Sequence, residues 1–106
     1  MSEIINKRKK ETKKLIDSLL KKLITVQELS IQYVCKGGEI SFEISGFSNS
    51  AQIRGIGGID CSHRYHQVRF SHYDFMSYAY SDTVPDHYKK QHEIVDLWIK
   101  LLKEKL

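Results

Sequence analysis

The sequence predicts an α+β domain: a small antiparallel sheet of three to five strands with an N-terminal and a C-terminal helix packed on one face. Three observations predict it. The first stretch of chain carries apolar residues at helical spacing, the middle alternates apolar and polar residues with period two, and the last stretch returns to helical spacing. Each predicted element then has one greasy face, and the economical way to bury three such faces is to lay both helices across one side of the sheet.

Leu15, Ile16, Leu19, Leu20 and Leu23 recur one helical turn apart, with Lys14, Asp17, Ser18, Lys21 and Lys22 between them. This predicts a first helix from about Glu3 to Ile24. The period then changes. Leu29, Ile31, Tyr33 and Cys35 alternate with Ser30, Gln32, Val34 and Lys36, and beyond Gly37-Gly38 the residues Ile40, Phe42 and Ile44 alternate with Ser41, Glu43 and Ser45. A two-residue Gly-Gly loop tolerates the positive φ of a type I′ turn, so the pattern predicts a hairpin with Lys36 opposite Glu39, Tyr33 opposite Phe42 and Ile31 opposite Ile44. A further strand is expected over about Ala51–Ile56, after Ser48-Asn49-Ser50, and another over about Tyr65–Tyr73, with 75–80 open between strand and irregular return. Thr83-Val84-Pro85-Asp86 has the form of a capping box with proline in the first turn, and Tyr88, Ile94, Val95, Leu97, Trp98, Leu101 and Leu102 give the helix it opens a broad apolar stripe. The expected core is Leu19, Leu23, Ile31, Tyr33, Phe42, Ile44, Phe70, Trp98 and Leu102.

A chain of 106 residues is long enough for one core and too short for two, so residues 1–106 are expected to form a single domain, with 1–14 as a basic, frayed first part of the helix. Cys35 and Cys61 form neither a disulfide framework nor a CxxC pair, which favours a reducing compartment, and the start carries no apolar run of signal-peptide length. The expected localisation is cytoplasmic, with no membrane partner.

Charge is unevenly placed. The net +4 arises from 17 basic and 13 acidic residues, but Lys7–Lys14 alone holds Lys7, Arg8, Lys9, Lys10, Lys13 and Lys14 against Glu11. A wholly basic nucleic-acid surface is therefore not expected. Cations in the first turns of a helix oppose its dipole, so these six residues are candidates for electrostatic contact with phosphate or with an acidic protein patch.

If Val68 and Phe70 face the helices, alternation sends Tyr65, Gln67, Arg69, Ser71 and Tyr73 to the open face beside Gln52 and Arg54. Arg54, Tyr65, Arg69 and Tyr73 are the candidate protein-binding residues, because Tyr and Arg dominate interface energetics, and the same side chains stack on unpaired bases. His63, Arg64 and His66, following a glycine-rich stretch, form an alternative catalytic set in which histidine moves protons and arginine holds phosphate. Cys61, His63 and His66 have the residue types of a zinc site, but a CxxC pair or an HExxH is missing, so no metal and no cofactor are expected.

The layout of lysine-rich amphipathic helix, small antiparallel sheet and closing amphipathic helix resembles small phage and mobile-element proteins directed against host defence, including some anti-CRISPR proteins. Val68-Arg69-Phe70-Ser71-His72 is similar to a strand motif of several of them, without the Asp or Asn they carry within it. The resemblance implies inhibition by occupying a surface on a nuclease complex. The expectation is a non-enzymatic binding protein, an inhibitor docking on a host nuclease, protein or nucleoprotein complex. Its alternatives are a small metal-independent ribonuclease-like enzyme and a single-stranded nucleic-acid-binding module.

Overall fold

A computed structural model describes residues 2–45, 50–55, 67–70 and 83–106. The described elements are helix α1 (Ser2–Cys35), strands β1 (Ser41–Ser45), β2 (Ser50–Arg54) and β3 (Gln67–Arg69), and helix α2 (Thr83–Lys105). The three strands form an antiparallel sheet in the order β1-β2-β3, and the helices pack against it. The α+β class and the layer arrangement expected from the sequence are present.

The first half of the expected hairpin is not. Leu29–Cys35 is the last two turns of α1, which makes that helix 34 residues long, or about 51 Å at 1.5 Å per residue. The reason lies in how two periods overlap. Leu19, Leu23, Val26 and Ser30 are buried at i, i+4, i+7 and i+11, so the helical stripe runs straight through the alternating stretch. Ser30, a polar residue in a core position, breaks the apolar signal of that stripe. Gly37-Gly38 ends the helix instead of turning a hairpin. Gly37 has φ +93°, its N–H donates to Val34 O at 2.9 Å, and the Gly38 N–H donates to Tyr33 O at 3.0 Å. These are the two hydrogen bonds of a Schellman cap. The Tyr33 ring fills the space a Cβ at position 38 would need, so both glycines are used.

The strand register changes accordingly. β1 pairs with β2, with Phe42 opposite Ile53 and Ile44 opposite Ala51, in place of Tyr33 and Ile31. β2 continues to β3 with Ala51 opposite Val68. The third and fourth expected strands are present as β2 and β3, shorter than their expected spans within the described residues; 75–80 lies outside them. α2 begins at Thr83 as expected, with Asp86 in its first turn and Lys103 and Lys105 in its last, both favourable to the helix dipole.

The core joins Ile16, Leu19, Leu23 and Val26 of α1, Ala51 and Ile53 of β2, Val68 of β3, and Tyr88, Val95, Trp98 and Leu102 of α2. Tyr33, Phe42 and Phe70 pack on it half-buried. Phe42 meets Trp98 edge to face at 6.3 Å, and Phe70 stacks on Tyr88 at 6.2 Å. Ile31 and Ile44, both expected in the core, are each 57% exposed. Once Leu29–Cys35 is helical, Ile31 lies off the buried stripe, and Ile44 sits on an edge strand.

Candidate binding surfaces

The two helices run parallel, and this decides where the charge collects. Lys89 pairs with Glu11 at 3.1 Å, His92 Nε2 donates to Leu15 O at 2.7 Å, and Lys22 pairs with Asp96 at 2.8 Å. Further along, the Lys105 ammonium lies 5.9 Å from the Tyr33 ring centroid and Lys36 Nζ donates to Leu106 O at 2.7 Å. Partners advance together along both helices, so both helix N-termini lie at one end of the molecule. The positive ends of two helix dipoles therefore share that end with the basic segment.

Of the six basic residues expected to make electrostatic contact, Lys7, Lys9, Lys10, Lys13 and Lys14 are exposed and Arg8 is half-buried. Helix α2 adds two more. Lys89 engages Glu11, the single acid within the segment, and lies 4.0 Å from Asp86, while Lys90 is exposed next to it. Over 7–14 and 86–90 the net charge is +6, taking histidine as neutral. We call this end the basic pole. Lys89 and Lys90 were not singled out by sequence, because two lysines in an amphipathic helix look like ordinary solvated surface until the packing direction is known.

The sheet carries a second candidate surface on the side away from the helices. Ser41, Glu43, Gln52 and Arg54 line a shallow polar depression there, and Gln52 stands opposite both Glu43 and Gln67 in the strand register. Arg54, a candidate binding residue, ends β2 in an exposed position, and Gly55 follows it with φ +93°. A side chain at Gly55 would place its Cβ 2.8 Å from Glu39 O, so the close approach of this loop to the start of β1 needs glycine. Arg69 ends β3 opposite Ser50. Tyr65 and Tyr73, and the alternative catalytic residues His63, Arg64 and His66, lie outside the described residues. The described part of this surface is thus small and polar, with one exposed arginine and no aromatic ring. Among the described residues no group of three or more His, Cys, Asp or Glu side chains is placed to hold a metal ion.

A third surface lies on α1. Leu20, Ile24, Ile31 and Val34 are exposed by 47 to 57%, and Gln27, Ser30, Ile31, Val34 and Cys35 line an open groove with Ile40 and Phe42. The Ser30 hydroxyl is buried in this groove without a hydrogen-bond partner.

Among the described residues no helix is long and apolar enough to cross a membrane. Fold and surfaces together define a small α+β domain with a basic pole and an unpartnered apolar helix face. No protein family, curated protein or solved structure matches the chain.

Proposed function

We propose that this is a non-catalytic binding protein that docks on a nucleic-acid-bearing host complex, in the manner of the small phage inhibitors its layout resembles. The observation that carries the reading is the basic pole. Two parallel helices direct their N-termini to the same end as Lys7, Arg8, Lys9, Lys10, Lys13, Lys14, Lys89 and Lys90, which favours a phosphate-rich partner over a neutral protein surface. The sheet residues Arg54 and Arg69, with Tyr65 and Tyr73, supply the specific contact in this reading, and the pole steers the approach. A host nuclease assembled on its nucleic acid, in a bacterial cytosol, has the required chemistry.

The experiment separates binding from cleavage. The pure protein is incubated with labelled duplex DNA and with single-stranded RNA, with and without divalent metal, and the products are resolved by size. The proposal expects retarded, intact nucleic acid in every arm. Cleavage that His63→Ala or His66→Ala abolishes would replace it with the ribonuclease-like alternative.

A further inference from the structure

The apolar arc of α1 is wider than its own partners cover. Leu20, Ile24, Gln27, Ile31 and Val34 follow one another at spacings of four, three, four and three residues, the seam of a coiled coil with a polar residue at its centre. Four of these five are large and apolar, and they lie beside the buried row of Leu19, Leu23, Val26 and Ser30. Ile44, on edge strand β1, is exposed too. Five of the six large apolar residues exposed among the described ones thus belong to this seam or to the neighbouring strand edge, which is a patch and not scatter.

We infer that a second copy of this chain covers the patch, with the two α1 helices packed antiparallel about a two-fold axis near residues 25 and 26. Four of the five seam positions pair with one another in that orientation, and Val34 extends beyond them to the level of Asp17. Leu20 falls opposite Ile31 of the second copy and Ile24 opposite Gln27, each pair occurring twice, as a closed two-fold interface requires. The charges agree. Lys21 and Glu28 flank the seam on its solvent side, the side that meets its own equivalent across an antiparallel pair, so Lys21 of each copy faces Glu28 of the other. A parallel pair would instead set two basic segments side by side and leave these flanking charges without each other. The antiparallel pair sends the two basic poles to opposite ends, about 45 Å apart at 1.5 Å per residue.

The contact is small. A seam about 21 Å long on a helix face about 10 Å wide covers a few hundred square ångströms per copy, less than the roughly 1,200 Å² total of standard specific interfaces. The dimer is therefore weak and dissociates on dilution.

Sedimentation equilibrium on the full chain, from roughly 5 to 200 µM, reads the assembly. The expected result is a monomer–dimer equilibrium that Ile24→Glu with Ile31→Glu abolishes, both positions being more than half exposed so that the fold is kept. Lys21→Glu alone and Glu28→Lys alone should each weaken it about fivefold, and the double reversal should restore it, as reciprocal ion pairs require. Spin labels on Cys35 in a Cys61→Ser background fix the orientation. They should lie about 30 Å apart in the antiparallel dimer and within about 15 Å in a parallel one. A monomer throughout the range, a dimer indifferent to the two glutamates, no rescue by the double reversal, or the short label distance would each overturn the inference.

Discussion

Replacing Trp98 by alanine removes the largest fully buried side chain of the described core. The indole is 0% exposed and packs edge to face with Phe42 at 6.3 Å and 73°. Deleting a large ring from a packed interior costs about 3–5 kcal/mol, the transfer term and the residual cavity together. Within that, the edge-to-face contact contributes roughly 0.5–1.5 kcal/mol. Against a total stability of about 5–15 kcal/mol for a domain of this size, the variant should be folded at low temperature but close to its threshold. Its melting temperature should fall by roughly 12–40 °C, at about 4–8 °C per kcal/mol. Urea unfolding followed by far-ultraviolet circular dichroism measures the change without relying on tryptophan emission. The slope of free energy on urea should stay constant while the midpoint falls. Trp98→Phe should lose less, and combining Trp98→Ala with Phe42→Ala should lose less than the sum of the single variants, since the pair is in contact. A loss below about 1 kcal/mol for Trp98→Ala would mean that the indole is not the pivot of sheet and helix, and the packing described here would be wrong.

Four shorter predictions follow from the same structure. Backbone chemical shifts over Leu29–Cys35 should be helical; extended values would restore the hairpin. Leu23→Ala should cost about 2–5 kcal/mol in chemical unfolding of dilute protein, whereas Ile31→Ala should cost under about 1 kcal/mol. Equal losses would contradict the burial of one and the exposure of the other. Gly37→Ala should destabilise by about 1–2 kcal/mol for its positive φ, and Gly55→Ala by more, because its Cβ also meets Glu39 O at 2.8 Å; the reverse order in urea midpoints would refute the loop geometry. Neutralising Lys9, Lys10, Lys13 and Lys14 to glutamine should slow association with a nucleic-acid-bearing partner by at least about tenfold at low salt and leave dissociation nearly unchanged. Stopped-flow mixing reads both rates, and a change confined to dissociation would make the pole the specific contact instead of the steering one.

How much of this was legible in the sequence depends on which signal each segment carries. α2 was readable from both ends, because Thr83-Val84-Pro85-Asp86 is a start signal and the apolar stripe through Trp98 to Leu102 has a single period. β2 and β3 were readable from the alternation of Ala51, Ile53, Val68 and Phe70 with their polar neighbours. The stretch from Leu29 to Cys35 was not, since Leu29, Ile31, Tyr33 and Cys35 satisfy a strand period while Val26, Ser30 and Tyr33 satisfy a helical one. Length decides such ties: a helix already six turns long extends at little cost, whereas a new strand must find a partner. Gly37-Gly38 is equally ambiguous, because a type I′ turn and a Schellman cap both need positive φ. The basic segment was legible as charge, but its union with Lys89 and Lys90 was not, since that depends on the helices running parallel. No local pattern encodes that direction; it follows from how the strands between the helices return the chain.

The central claim is that the basic pole engages phosphate without chemistry, and the salt dependence of binding to a short labelled DNA duplex tests it most directly. Affinity measured between 50 and 200 mM salt should fall with a log–log slope of about −4, as expected when roughly four or five phosphates are neutralised. The DNA should be recovered intact, and the slope should become markedly shallower when Lys9, Lys10, Lys13 and Lys14 are replaced by glutamine, with Lys7, Arg8, Lys89 and Lys90 remaining. A wild-type slope near zero, or one unchanged by those substitutions, would contradict the account.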